Sequence, residues 1–193
     1  MTLTKSEFRK NCLKKIKNIP HHNRIYREYL LNKKLQSILK DEKRADILLY
    51  YPLQSEANII KTLKKLRKKH NIFIPFMVGK SFKMIPFRLP LKKKKFGIFE
   101  AGNTLKDIKK IDIAIVPVVG VDGAMRRVGF GKGMYDRFFE KLPKRPYTIF
   151  VQLQLCHTKE KICDVYDVVG DLLITPTKII KNRTIRKRGN KRC

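Results

Sequence analysis

A glycine-rich stretch between an apolar run and an amphipathic segment constrains the fold more than any other part of this sequence. The apolar run starts at Asp112 and reads DIAIVPVV, which predicts a buried strand. Gly129, Gly131 and Gly133 follow at alternate positions, and MYDRFFEKL then predicts the start of a helix. Glycine lets backbone N–H groups approach a phosphate, and a helix N-terminus adds a partial positive charge. The stretch therefore predicts a phosphate site.

Charged residues accompany these glycines. Arg127 and Lys132 lie inside the loop, and Asp136 is one helical step beyond it. A cationic loop with a nearby carboxylate suits a polyphosphate bound together with a divalent metal. The glycines alone also fit a purely structural turn, because GFGKG is neither a Walker A motif nor a Rossmann motif. Both interpretations stay open on the motif by itself.

The preceding part of the chain predicts a parallel sheet. Residues 46–51 and 71–76 read as buried strands, and Ser55 caps a predicted helix over 56–69 between them. This βαβ unit requires a right-handed crossover. Glu56 would lie just beyond the carboxyl end of a strand, where open α/β sheets bind ligands. It fits equally well as a carboxylate that stabilises a helix N-terminus.

The N-terminal segment carries a capping box, in which Glu7 follows Thr4 by three residues. It predicts a helix over 4–19 with Lys5 and Arg9 on one face, a pattern that also fits a solvated surface. A second helix is expected over 22–39, with Ile25, Tyr29, Leu30, Leu35, Ile38 and Leu39 as its apolar stripe.

The remaining segments complete an α/β pattern. We expect an edge strand over 82–87, an exposed lysine loop over 92–95, and strands over 97–100, 147–155 and 171–174. The predicted fold is a three-layer αβα sandwich around a mostly parallel sheet. Residues 1–180 would form a single domain, and 181–193 a disordered basic tail.

The chain has a formal net charge of +30, with 46 Lys and Arg against 16 Asp and Glu. Such a charge attracts polyanions, including nucleic acids. The lysines are scattered along the whole chain, however, which also fits a lysine-rich surface without a nucleic-acid function. No RNA-binding aromatic signature or zinc module is present.

Cysteine spacing and hydropathy bear on the compartment. The four cysteines form no CxxC pair and no zinc spacing, so we predict free thiols in a reducing cytosol. The N-terminus has no apolar signal core, and the longest apolar run is too short to span a bilayer. We therefore expect a cytoplasmic protein that does not bind membranes.

A longer pattern around the glycines is more specific than the glycines themselves. It consists of an apolar strand ending in Val116-Pro117, then Asp122, then the run RVGFGKGMYDR over 127–137. This pattern resembles the signature of the 5-formyltetrahydrofolate cyclo-ligase (5,10-methenyltetrahydrofolate synthetase) family. Further matching segments lie in the family's order, at Lys5 to Arg9, Glu56, Ile74-Pro75 and Met84, 97–100, Gln154-Leu155 and 171–175.

The resemblance implies an ATP-dependent ring closure. 5-Formyltetrahydrofolate would be converted to 5,10-methenyltetrahydrofolate, with release of ADP and phosphate. A formamide is a poor electrophile, so its oxygen would first be phosphorylated, and N10 would then attack the activated carbon. Phosphoryl transfer of this kind depends mainly on positioning and charge neutralisation. The implied partners are ATP as co-substrate, a reduced folate and Mg²⁺.

The resemblance also assigns roles to residues. ATP would be bound by Lys5, Arg9, Arg127, Gly129, Gly131, Lys132, Gly133 and Tyr135. Arg127 and Lys132 would also be catalytic. Folate would be bound by Glu56, Phe130 and Met134, and Mg²⁺ by Asp136 and Asp171.

Two other functions remain open from the sequence. One is a nucleic-acid-binding α/β protein that uses its basic surface, and it predicts steeply salt-dependent binding. The other is an enzyme of the same fold that acts on a different nucleotide or phosphosugar. For the cyclo-ligase we expect a monomer or weak homodimer that binds nucleic acid only non-specifically.

Overall fold

A computed structural model describes residues 3–93, 99–102, 108 and 110–183. The helices are α1 Lys5–Lys17, α2 His21–Ile38, α3 Ile60–Leu66 and α4 Met134–Glu140. The first seven strands are β1 Asp46–Leu49, β2 Asn71–Val78, β3 Ser81–Pro86, β4 Lys92–Lys93, β5 Phe99–Glu100, β6 Ile113–Pro117 and β7 Gly120–Val121. The last four are β8 Arg127–Val128, β9 Tyr147–Val151, β10 Leu172–Ile174 and β11 Ile179–Lys181.

A seven-stranded sheet in the order β11-β10-β9-β6-β1-β2-β3 lies at the centre of the fold. Its five inner strands are parallel, and the edge strands β3 and β11 are antiparallel to their neighbours. The predicted βαβ unit and the edge strand near 82–87 are thereby confirmed. Because the parallel strands share one direction, the loops after β1, β6 and β9 meet at one edge of the sheet.

Both faces of the sheet are covered. Ile47 and Leu49 of β1 face a cluster formed with α2 and α3, whereas Leu48 between them faces a cluster that includes Phe138 of α4. Strands buried on both faces are typical of parallel sheets under helical layers. The predicted three-layer architecture is confirmed.

Helix α1 begins as predicted, because the Thr4 and Glu7 side chains each bond the other residue's backbone N–H. The predicted stripe of α2 is partly wrong, since Ile25 and Tyr29 are more than half exposed. Asn32 is buried instead, and its carboxamide oxygen accepts hydrogen bonds from the backbone N–H and hydroxyl of Thr62 on α3. This polar contact fixes which face of α2 is turned inward.

Helix α3 starts later than predicted, at Ile60. The Asn58 side chain, rather than Ser55, accepts a hydrogen bond from the first helical N–H at 3.1 Å. Glu56 therefore lies in the turn before the helix. Its carboxylate accepts a hydrogen bond from the Leu53 N–H at 2.9 Å, and Arg24 donates to the Glu56 carbonyl at 2.6 Å.

A small β7–β8 hairpin separates β6 from the glycine-rich loop, so the loop does not follow the predicted strand directly. Asp122 is fully buried in the hairpin turn. Its carboxylate accepts hydrogen bonds from the N–H groups of Ala124, Arg126 and Cys163. The hairpin thus fixes the direction in which Arg127 enters the loop.

The free-thiol prediction is wrong for one pair of cysteines. Cys12 of α1 and Cys156 after β9 form a disulfide, with their Cα atoms 5.7 Å apart. Their sequence separation of 144 residues hides the pair from any spacing motif. Cys163 is free. The disulfide fastens α1 to the edge of the sheet where the loops meet.

Two predicted segments fall partly outside the described residues. Lys92 and Lys93 form a strand paired with Phe99 and Glu100, while Lys94, Lys95, Gly97 and Ile98 lie beyond the description. Lys181, the predicted start of the tail, is the last residue of β11, and 184–193 are not described. None of the described helices is long and apolar enough to cross a membrane.

Candidate functional site

A cleft of about 500 Å³ opens where α1, the glycine-rich loop and the loop before β10 meet. Seven predicted site residues line it, namely Lys5, Arg9, Arg127, Gly129, Gly131, Gly133 and Asp136. The structure adds Arg137, Glu140, Tyr166 and Asp167. Most of the residues expected to bind phosphates are thus brought together, although Arg9 and Gly129 are 120 positions apart in the sequence.

Arg127 lies at the centre of the site and is only 6% exposed. Its Nη1 lies 3.2 Å from an Asp136 carboxylate oxygen, and its guanidinium carbon lies 4.8 Å from the Tyr135 ring centre. A Cβ at position 129 would lie 2.4 Å from Arg127 Nη2, so glycine there leaves room for the guanidinium. The carboxylate and the ring hold a buried cation in one orientation.

The loop enters α4 through Gly133, whose φ of +59° is left-handed and favours glycine. Arg137 of α4 packs over Gly133 and donates to the Lys132 carbonyl at 2.5 Å. The Lys132 side chain is exposed and is not among the residues that line the cleft. Its predicted catalytic role would therefore require a change in side-chain position.

Helix α1 brings two cations to the loop. Arg9 Nε donates to the Gly129 carbonyl at 2.8 Å. Lys5 Nζ donates to Asp164 at 3.0 Å and also to Asp167. Burial disfavours the charge on Lys5, but its hydrogen bonds to the two carboxylates outweigh this effect and raise its pKa.

The structure places Asp171 outside the cleft, against the prediction. Asp171 precedes β10 at the amino edge of the sheet, where Arg145 binds both of its oxygens at 3.0 and 2.8 Å. The Thr148 N–H donates to the same carboxylate at 2.7 Å. Asp167 lines the cleft together with Asp136 and is only 5% exposed. The carboxylates that line the cleft are thus Asp136, Glu140 and Asp167, of which Asp136 and Asp167 could serve a divalent cation.

Tyr135, the ring beneath Arg127, lines a second and smaller cavity of about 90 Å³. Its walls are mainly apolar and come from Tyr50, Tyr51, Leu53, Pro75, Met77, Phe82, Met134 and Tyr135, together with Glu56. Burial raises the pKa of Glu56 to about 7, although the Leu53 N–H and the positive charge of Arg127 act in the opposite direction. These walls and this carboxylate match the chemistry of an aromatic ligand that donates N–H groups, and the cavity would have to widen to admit one.

Three predicted roles can be compared with these positions. Met134 lines the smaller cavity with Glu56, as a folate-binding role requires. Tyr135, predicted to bind ATP, lines the smaller cavity and is buried beneath Arg127. Phe130 packs with Phe8 and Val128 under α1 and is absent from the described lining of both pockets.

The chemistry of the cleft fits Mg²⁺ bound together with a polyphosphate. Within the described residues no three His, Cys, Asp or Glu side chains are grouped to hold a metal. Mg²⁺ needs fewer protein ligands when phosphate oxygens and water complete its shell. Asp136 and Asp167 would supply hard oxygens of this kind, and the cationic loop would receive the phosphates.

Sequence reasoning missed Asp167, Tyr166 and Glu140, and gave Arg137 no role. Asp167 lies in the loop before β10, where the sequence shows neither a glycine-rich motif nor the periodicity of a helix. No local pattern therefore marked it. Its nearness to Lys5 comes from the packing of α1, which lies 162 positions earlier in the chain.

The chain is similar to known proteins of one family. The family model of the 5-formyltetrahydrofolate cyclo-ligase family matches residues 1–166. The chain is 30% identical over 132 residues to a probable 5-formyltetrahydrofolate cyclo-ligase of Schizosaccharomyces pombe, covering 58% of this chain and 64% of that protein. It is 24% identical over 173 residues to the 5-formyltetrahydrofolate cyclo-ligase of Mycoplasma pneumoniae, covering 89% and 98%.

Solved structures show the same fold. The NMR structure of Aquifex aeolicus 5,10-methenyltetrahydrofolate synthetase superposes with a TM-score of 0.78 at 24% identity, over 98% of each chain. A 5,10-methenyltetrahydrofolate synthetase from M. pneumoniae gives a TM-score of 0.68 at 23% identity, over 90% of this chain and 99% of that one. At these identities the solved structures establish only the fold. The match to the family model establishes membership of the family. The chain belongs to the 5-formyltetrahydrofolate cyclo-ligase family.

Proposed function

We propose that the protein uses ATP and Mg²⁺ to convert 5-formyltetrahydrofolate to 5,10-methenyltetrahydrofolate, with release of ADP and phosphate. One observation carries this proposal. The stacked pair of Arg127 and Tyr135 lies between the two pockets, with Arg127 lining the cationic cleft and Tyr135 the apolar cavity. A reaction in which a phosphate must reach a folate needs its two sites to adjoin in this way.

The cleft would hold the triphosphate. The guanidinium of Arg127 and the amides of the glycine-rich loop neutralise the charge that develops on the transferred phosphoryl group. Arg9 contributes a further positive charge beside the loop, because its side chain already bonds the Gly129 carbonyl. Lys5 becomes available to phosphate oxygens when they compete with Asp164 and Asp167.

The cavity would hold the reduced folate ring. Ionised Glu56 accepts hydrogen bonds from the N–H groups of the folate ring. Met134 and Phe82 pack on the faces of that ring. The formyl oxygen then attacks the terminal phosphorus of ATP and ADP leaves. N10 attacks the activated carbon, loses its proton, and phosphate departs with the former formyl oxygen. The apolar walls keep water away from the activated carbon.

Asp136 and Asp167 would hold Mg²⁺ together with the phosphates. The ion would supply charge neutralisation to the phosphates. In this arrangement Asp136 would have three partners, because besides the ion it orients Arg127 and accepts a hydrogen bond from the Val168 N–H at 3.2 Å.

The test mixes protein, ATP, Mg²⁺ and 5-formyltetrahydrofolate and follows the absorbance of 5,10-methenyltetrahydrofolate. We expect product only when all four are present, with one ADP formed for each turnover. Arg127→Lys tests the central residue, and Arg145→Lys, at the opposite edge of the sheet, is the matched control. ATP hydrolysis without methenyl product, or with a different acceptor, would refute the proposed reaction.

We also propose the cytoplasm as the compartment, a monomer or weak homodimer as the working form, and only non-specific binding to nucleic acid. In a reducing cytoplasm the Cys12–Cys156 disulfide would have to persist through its burial, because both cysteines are almost fully inaccessible to solvent. Cell fractionation, sedimentation and a salt-dependent RNA-binding assay test the three statements separately.

A further inference from the structure

A rigid turn formed by residues 164–167 lies at the rim of the cleft. The Asp167 N–H donates to the Asp164 carbonyl at 3.1 Å, and the Asp164 N–H donates to the Asp167 carboxylate at 2.7 Å. Arg126 Nη1 donates to the carbonyls of Val165 at 2.6 Å and Asp167 at 2.9 Å. These four hydrogen bonds fix the backbone of a loop that has no regular secondary structure.

The two central side chains of this turn are apolar and unusually exposed. Val165 is 86% exposed and Tyr166 is 71% exposed. The hydrogen-bonded turn holds the Tyr166 backbone at the rim of the cleft while most of the ring surface stays open. Burying such a ring against a ligand would cost little conformational entropy.

The position of the ring indicates what it would bind. Tyr166 lines the cleft of the glycine-rich loop, and Lys5 Nζ lies 5.8 Å from its ring centre. It does not line the Glu56 cavity. A ligand whose phosphates lie against the loop and Lys5 would extend its other end toward this rim. In a nucleotide that end is a flat, aromatic base, which stacks well on a tyrosine ring.

We propose that Tyr166, with Val165 beside it, forms the stacking platform for the nucleobase of ATP. The proposal rests on the proposed function, because it takes ATP as the ligand of the cleft. It assigns the base to a turn that contributes no phosphate contact of its own. The platform contacts the face of the base and makes no hydrogen bond to its edge. It would therefore accept GTP nearly as well as ATP.

The test compares ADP with inorganic tripolyphosphate, which lacks a base. Both are titrated calorimetrically into the wild-type protein, Tyr166→Ala and Tyr166→Phe. We expect Tyr166→Ala to weaken ADP binding by roughly tenfold or more, the scale of one base stack, and to leave tripolyphosphate binding unchanged. Tyr166→Phe keeps the ring and should retain ADP affinity within about twofold. Tyr26→Ala, an exposed tyrosine on α2, serves as the control.

The other outcomes overturn either the platform or the proposed function on which it rests. Equal loss of ADP and tripolyphosphate in Tyr166→Ala would show that the residue acts on phosphates through Asp164 and Lys5. Unchanged ADP binding would remove Tyr166 from the site. A wild-type protein that binds neither ligand would refute the nucleotide site and the proposed function together. Tyr166-dependent ADP binding without folate turnover would refute the proposed reaction and leave the platform in place.

Discussion

Arg137 hydrogen-bonds to the backbone carbonyl of Lys80 through Nε at 2.9 Å and through Nη2 as well. The same Nη2 donates to the Lys132 carbonyl in the glycine-rich loop. Lys80 lies in the turn between β2 and β3, the two strands that supply Pro75, Met77 and Phe82 to the Glu56 cavity. One guanidinium therefore connects the walls of both pockets.

Arg137→Ala should impair both substrates. Loss of the shared guanidinium frees the β2–β3 turn from the loop, and we expect KM to rise for ATP and for the folate by about tenfold each, as expected for charged hydrogen bonds of ~1.5 kcal/mol. Steady-state kinetics with each substrate varied in turn will measure this. Arg145→Ala removes an arginine at the far edge and should leave both KM values unchanged. A rise confined to ATP would mean that Arg137 serves the phosphates alone.

Gly129→Ala should reduce ATP use through Arg127. The new Cβ would lie 2.4 Å from Nη2 and 2.7 Å from Cζ of Arg127, which forces the guanidinium away from Asp136. We expect kcat/KM for ATP to fall by at least about tenfold, or ~1.4 kcal/mol. Gly102→Ala is the matched control, because its Cβ meets no atom within 4 Å. An unchanged kcat/KM in Gly129→Ala would contradict the placement of Arg127 in the site.

Folate affinity should fall as the pH drops through about 7. Burial raises the pKa of Glu56 to about 7, so the carboxylate that accepts ring N–H groups is lost to protonation below that value. The folded pKa lies above the unfolded one, so ionising Glu56 costs stability increasingly from about pH 4.5 to 7. Glu56→Gln should therefore abolish the decrease in folate affinity below about pH 7. The same substitution should raise Tm at pH 8 more than at pH 5. If folate affinity still falls below about pH 7 in Glu56→Gln, another titrating group causes that decrease.

Non-reducing peptide mapping should recover Cys12 and Cys156 in one linked peptide. The cross-link closes a loop of 144 residues, so its reduction should lower stability by ~2–4 kcal/mol on the usual scale of native disulfides. A thermal melt with and without reductant measures the change, and Cys163→Ser, which removes a free thiol, is the control. Two unlinked thiols in protein purified without reductant would restore the original free-thiol prediction.

How far the sequence predicts this molecule depends on the range of the interactions involved. Apolar runs marked β1, β2, β6 and β9, because strands covered on both faces leave a strong local signal. The Thr4–Glu7 capping box also forms within one helical turn. Such features could be predicted because their partners lie close in the chain.

Features that depend on distant partners were missed or misassigned. Helix α3 begins only at Ile60, so Glu56 lies in the preceding turn, where its backbone carbonyl accepts a hydrogen bond from Arg24 of α2. The pairing of Cys12 with Cys156 needs α1 to pack against the β7–β8 hairpin. Family resemblance marked the glycine-rich loop through its continuous motif, but it did not mark Asp167, whose place in the cleft depends on the packing of α1.

Replacing each acid in turn should show which carboxylates serve Mg²⁺. We expect Asp136→Asn and Asp167→Asn to raise the Mg²⁺ concentration for half-maximal rate by about tenfold, since each would lose one hard ligand worth ~1.4 kcal/mol. Asp171→Asn should leave that concentration unchanged and lower Tm, because it breaks the bidentate contact with Arg145. Free Mg²⁺ is varied at saturating ATP. Any weakening of ATP binding through loss of the Lys5–Asp167 ion pair then does not change the measured Mg²⁺ requirement. A metal requirement that follows Asp171 and ignores Asp167 would restore the ligand set that the sequence first implied.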